Sequence, residues 1–70
     1  MMPLTLVNPG EENRIRHIGG SVELKQHLAD MGVVAGENVT VVSSMAGNLI
    51  VNVRESRIAI SREMAGKIMV

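Results

Sequence analysis

Leu28-Ala29-Asp30-Met31-Gly32-Val33-Val34-Ala35-Gly36-Glu37 divides the sequence into two periodicities. Running into its first half, Leu24, Leu28 and Met31 recur at i, i+4 and i+7, a narrow apolar stripe of helical period. After it, Val39 and Val41 flank Thr40 and fall on one face at the period of a strand. Gly32 suits the left-handed position that ends a helix, and Val33 would then meet Leu28 in the apolar contact of a Schellman close. Val34-Ala35-Gly36-Glu37 predicts a tight turn in which Gly36 supplies the positive φ. Gly32 and Gly36 are therefore expected to be architectural.

Reading back toward the N-terminus, Ser21 is placed to cap a helix spanning about 21–31. Glu23, Lys25, Gln26, His27 and Asp30 occupy most of the helix surface outside the stripe. Val22 and Ala29 form a second, smaller apolar edge, so the helix is expected to touch something on two sides. Gly19-Gly20 breaks the preceding segment. Glu12 to Ile18 reads as a strand with one exposed face, and the spacing of three between Ile15 and Ile18 suggests a bend or bulge. Asn8-Pro9-Gly10-Glu11 has the chemistry of a type II turn, with Pro9 presetting φ and Gly10 supplying the positive φ. Leu4-Thr5-Leu6-Val7 is a short apolar lead that could dock on the body of the fold.

Toward the C-terminus, Asn38 to Ser43 and Leu49 to Arg54 predict strands joined by a hairpin loop at Met45-Ala46-Gly47-Asn48. The second strand places Leu49, Val51 and Val53 inward and Ile50, Asn52 and Arg54 outward. Arg57 to Ile60 follows as another strand after Glu55-Ser56, a turn without glycine. Ser61 to Ala65 predicts one helical turn ended by Gly66, and Lys67 to Val70 a last strand with Ile68 and Val70 on one side. The expectation is a mainly β, single domain over 1–70: a small barrel of about five strands with one inserted helix and a short C-terminal helical turn. Closure protects the edges that so small a sheet would otherwise expose. Leu24, Leu28 and Met31 then plug one barrel opening.

Composition narrows the function classes. Val and Ile number sixteen against five Leu, which favours strands. With no Phe, Tyr or Trp, the core must be aliphatic, with Met as adaptable filler. There is no cysteine, which removes disulfides and thiolate metal sites and fits a reducing compartment. Basic and acidic residues balance at seven each, so no global field draws the chain to phosphate or anionic lipid. No signal-like or membrane-spanning apolar run occurs, and a soluble cytoplasmic protein without direct membrane insertion is expected.

The order Pro9-Gly10-Glu11, Gly19-Gly20, Leu24 to Val33, Gly36 and Val39 to Val42 resembles the FeoA family. Arg57 to Ser61, Ala65 and Ile68-Met69-Val70 extend the resemblance to the C-terminus. It implies an SH3-like barrel and a small cytoplasmic accessory protein of bacterial ferrous iron uptake. The implied partner is the FeoB membrane transporter, whose cytosolic part carries a GTPase domain. The barrel is also similar to the C-terminal domain of iron-dependent repressors, which makes a metal-binding or metal-sensing module the alternative. Two positions depart from the pattern. Ala35 stands where the family often has Pro, forfeiting about 0.4–1 kcal/mol of unfolded-state restriction. Glu55-Ser56 stands where a glycine is common.

The residues themselves weigh these functions. Single-strand nucleic-acid readers and proline-peptide binders line their grooves with aromatics, and this chain has none. Glu23, His27 and Asp30 share one helix face and could offer nitrogen and oxygen ligands to a weakly held divalent ion such as Fe2+; the plainer reading is a solvated face. No required cofactor is expected. No serine has a base partner at a diagnostic spacing, and Gly19-Gly20 falls far short of a phosphate-binding loop, so a non-enzyme is expected. Arg54 and Arg57 could act in trans on a partner's nucleotide, or simply be exposed strand arginines. What remains is protein interaction. Val22, Ala29, Val34, Met45 and Ile50 are apolar but not needed inside, and with Val33 they are the candidate partner surface. Oligomeric state is open.

Overall fold

Gly32 and Gly36 lie at φ +90° and +96°, and the two corners they make set the path of everything around them. The first closes a helix, α1 (Val22–Asp30), capped at its start by Ser21, whose Oγ accepts from the Leu24 N–H at 3.1 Å. At its end Gly32 N–H donates to the Ala29 carbonyl and Val33 N–H to the Leu28 carbonyl, at 2.9 and 2.8 Å. That pair of bonds is a complete Schellman close, and Leu28 and Val33 are both fully buried beside it. The second corner turns the chain into the sheet, with Glu37 N–H donating to the Val34 carbonyl.

In the computed structural model, which describes residues 1–70, the other elements follow the expected order. A short 3-10 turn (Leu4–Leu6) precedes β1 (Glu12–Arg14) and β2 (His17–Ile18). After α1 come β3 (Asn38–Met45), β4 (Asn48–Val53), β5 (Ser56–Ser61), the helical turn α2 (Arg62–Ala65) and β6 (Ile68–Met69). Strands β1-β3-β4-β5 form an antiparallel sheet, and β2 pairs with β6 in a second, two-stranded one. Six strands thus stand where about five were expected, because Glu12 to Ile18 is divided between the sheets. Ile15 is the dividing point. Its N–H donates to the Glu37 carbonyl and its carbonyl accepts from Gly36 N–H, both at 2.8 Å, while Arg16 N–H already bonds Met69 in the other sheet. The three-residue spacing of Ile15 and Ile18 records that change of partner.

The core is wholly aliphatic: Leu4, Ile15, Leu28, Val33, Ile60 and Ile68 are its largest sealed members, and no polar side chain is buried. Leu49, Val51 and Val53 face inward as the alternation requires. Leu4 is fully covered, so the apolar lead is docked. Leu24 and Met31 are half-buried against the core, flanking the sealed Leu28. The β3–β4 register skips Val42 between Val41 and Ser43, a bulge that bends the strand.

Hairpin β3–β4 turns through Ala46 and Gly47, both at positive φ. Hairpin β4–β5 turns through Arg54-Glu55, and Arg54 sits at φ +57°, a region an L side chain enters at a cost of about 1–2 kcal/mol. Arg54 Nη2 donates to Glu37 Oε1 at 2.8 Å, tying this strained hairpin to the 34–37 corner. That hydrogen bond, chiefly, holds the Glu37 carboxyl below its ordinary pKa and raises that of Arg54.

Gly32→Val should lower the free energy of unfolding by about 1–2 kcal/mol in urea titrations, because Val must adopt φ +90°. Gly19→Ala, where an added Cβ meets nothing nearer than the Lys67 carbonyl at 3.8 Å, should stay within about 0.5 kcal/mol of the parent. A depressed carboxyl pKa contributes stability that is present at neutral pH and lost as pH falls through the folded value. Glu37→Gln should therefore melt below the parent at neutral pH. The gap should close in acid, below the ordinary carboxylate range, in thermal melts across that window.

Candidate functional site

Helix α1 presents three faces. Leu24, Leu28 and Met31 turn to the core. Val22, Lys25, Gln26 and Ala29, at i, i+3, i+4 and i+7, form a second stripe that does not reach it. Together with Arg16, His17 and Ile18 and the 33–35 segment, this stripe lines an open groove of about 470 Å³. Val33 lies beneath it as part of the sealed core, Ile18 and Ala29 are half-buried, and Val22 stands 78% exposed on its wall. An apolar side chain so far out of the core contributes nothing to the fold that Ser or Gln would not, and apolar surface beside a groove is where a partner gains most. Arg16 and Lys25 are exposed on the same groove, and no carboxylate lines it.

Of the predicted surface residues, the structure brings Val22, Ala29, Val33 and Val34 together around this groove. Val33 is fully covered, because the Schellman close sets it on Leu28 as expected, and so it lies under the groove and not on its surface. Met45 lies elsewhere, 67% exposed at the tip of hairpin β3–β4, and Ile50 is half-buried in β4 opposite Ser43 and Ala59. Neither touches the groove. Sequence reasoning missed Arg16, His17, Ile18, Lys25, Gln26 and Ala35. The signal for Lys25 and Gln26 was available, since they sit at helical spacing between Val22 and Ala29.

The third face of α1 carries Glu23, His27 and Asp30, all exposed. The Asp30 carboxylate accepts from Gln26 Nε2 at 2.9 Å, and no group of three such side chains comes together to hold a metal ion. One helix face spreads donors along its length, which shared facing alone does not cure. The turn glycines Gly10, Gly32 and Gly36 all have positive φ. Arg57 is engaged across the β4–β5 pair, its Nε donating to Asn52 Oδ1 at 3.1 Å, and Arg54 is held by Glu37.

Comparison with known proteins places this geometry. Residues 2–70 match the model of the FeoA domain. A protein of Methanocaldococcus jannaschii, provisionally named Fe(2+) transport protein A, is 36% identical over 70 residues, covering all of this chain and 85% of its own. The crystal structure of an iron uptake regulatory protein, FeoA, is 33% identical with a TM-score of 0.87, over 96% of this chain and 89% of that one. Two further structures share the fold at lower identity. One is the FeoA of Stenotrophomonas maltophilia complexed with zinc, described as a prokaryotic SH3 domain protein (20% identical, TM-score 0.83, 99% of this chain and 88% of that one). The other is a manganese-dependent transcriptional repressor (16% identical, TM-score 0.86, 94% of this chain and 38% of that one). The barrel is SH3-like, and with the family model spanning residues 2–70 and the Methanocaldococcus relative matching the whole chain, the chain belongs to the FeoA family.

Proposed function

We propose that the chain is a non-enzymatic accessory module of ferrous iron uptake that docks, through the groove beside α1, on the cytosolic side of a FeoB-type membrane transporter. Membership in a family of Fe(2+) transport proteins supplies the system. The observation that carries the docking is the apolar stripe of α1, exposed Val22 and half-buried Ala29, facing a groove that the fold leaves unfilled. The groove's own chemistry favours binding over catalysis: beside its aliphatic residues it offers Arg16, His17, Lys25 and Gln26, with no hydroxyl or thiol for His17 to activate. No helix of the chain is long and apolar enough to cross a membrane, so on this proposal the spanning segments are the transporter's. The metal-sensing alternative, using Glu23, His27 and Asp30, has no converging donor set to support it.

Calorimetric titration against the transporter's soluble cytosolic domain, and against the whole transporter in detergent, tests the proposal with and without guanine nucleotide. Binding is expected in at least one arm; its absence from all of them overturns the docking. Ala29→Leu should fill the groove while keeping helix propensity, weakening binding about tenfold or more with the melting temperature little changed.

A further inference from the structure

The groove has a chemical polarity that the docking proposal does not use. Its floor and one wall are aliphatic: Ile18, Val22, Ala29 and Val34. Its charged members, Arg16 and Lys25, are both cationic and both exposed, and neither is in an ion pair, the chain's one salt bridge being Arg54–Glu37. The acidic residues of α1, Glu23 and Asp30, do not line the groove; the Asp30 carboxylate stands beyond its rim, taken up by Gln26 Nε2 at 2.9 Å and paired with neither cation. In a chain of zero net charge, this is a local segregation of sign. We infer that the groove binds a short acidic segment of a partner protein, one or two large apolar side chains seated on Ile18, Ala29 and Val34, with Asp or Glu beside them meeting Arg16 and Lys25.

Other occupants fit less well. Adhesion to an anionic membrane takes a cluster of about four or more basic side chains on a face, and the groove offers two with His17. A nucleic-acid strand would find charge but no aromatic to stack on. A second copy of the chain, docked groove to groove about a two-fold axis, would set two cationic linings face to face with no lining carboxylate on either side. An acidic apolar segment alone satisfies both the aliphatic surface and the unpaired cations. Charge complementarity here sets specificity and encounter rate more than bulk affinity, which the apolar anchors supply.

This inference rests on the docking reading for its biological use, but the groove can be tested by itself. The probe is a synthetic peptide carrying two leucines flanked by glutamates, with glutamine and lysine versions as controls, added to the 15N-labelled chain. Amide shifts are expected to cluster at Val22, Lys25, Ala29 and Val34, with affinity about tenfold or more weaker for the glutamine peptide and falling as salt is raised. Lys25→Glu and Arg16→Gln should each weaken the glutamate peptide selectively. Ala29→Leu should abolish the shifts, thermal melts of each variant showing that it remains folded. Equal binding of glutamate and glutamine peptides, shifts that cluster elsewhere, or groove shifts that grow with protein concentration without peptide would each overturn the inference, the last pointing to self-association. Stronger groove shifts with phosphatidylglycerol vesicles than with peptide would overturn it in favour of a lipid surface. If the transporter's cytosolic domain binds the parent and the Arg16→Gln/Lys25→Glu double variant equally, the inference fails and docking stands. If the acidic peptide binds and the transporter does not, docking fails and the inference stands.

Discussion

The backbone of Ile15 is bonded on both sides to the corner at Gly36 and Glu37, and the fold depends on that exchange. A strand segment seven residues long has to serve two sheets, and it can do so only if something holds its bend. The corner supplies one donor and one acceptor at the bend itself, so no backbone group of Ile15 is left unpaired as the chain leaves one sheet for the other. Gly36 is needed because the corner must present its N–H inward at φ +96°, and Gly32 because the helix must end early enough to let the corner reach Ile15. The Arg54–Glu37 bond adds a second attachment from the far hairpin. Strand bend, helix stop and hairpin therefore meet within a few residues of one another.

The same meeting point creates the groove. Because β2 starts just after the bend and the helix returns past it, α1 lies across the 33–35 segment with only one of its faces satisfied by the core. The Schellman close seals Leu28 and Val33 below, and Ala29, one residue along the helix, is left at the groove's edge. An SH3-like barrel ordinarily suggests a groove of aromatics; here the likeness fixes architecture only, since the surface that is available is aliphatic and cationic.

Much of this architecture was legible in the sequence because it is written in local rules. Gly32 after Leu28 and before Val33, Ser21 three residues before Leu24, and the alternation of Leu49, Val51 and Val53 each specify a conformation with few alternatives. The division of Glu12 to Ile18 left only a trace, the odd spacing of two isoleucines, because a change of hydrogen-bond partner leaves no mark on side-chain chemistry. The candidate surface was half legible. Val22 and Ala29 announced a second helix face, but which strand lies opposite it is a tertiary fact, and so Arg16 and Ile18 were invisible while Met45 and Ile50 were grouped with residues they never meet. Val33 carried two readings, the contact with Leu28 in the helix close and a place on the surface; the cap geometry realises the first and covers its side chain beneath the groove. The strain at Arg54 was equally hidden, since nothing in Arg54-Glu55-Ser56 names the residue that takes the positive φ.

The pairing of Pro3 with Met69, and of Met2 with Val70 through two 2.9 Å bonds, joins the earliest part of the domain to the latest. Ile68 and Val70 fill the core beside Leu4, and β6 is the only strand that pairs with β2. The longest loop closure in the molecule is thus also one of its core contacts, a topology that slows folding relative to a chain of local contacts. During synthesis the four-stranded sheet could assemble as its hairpins emerge, but β2 would wait unpaired and Leu4 partly uncovered until segment 68–70 left the ribosome. The groove beside α1 is built partly on β2, so it would be the last feature to mature. A nascent chain of this domain would hold most of its sheet before the groove existed.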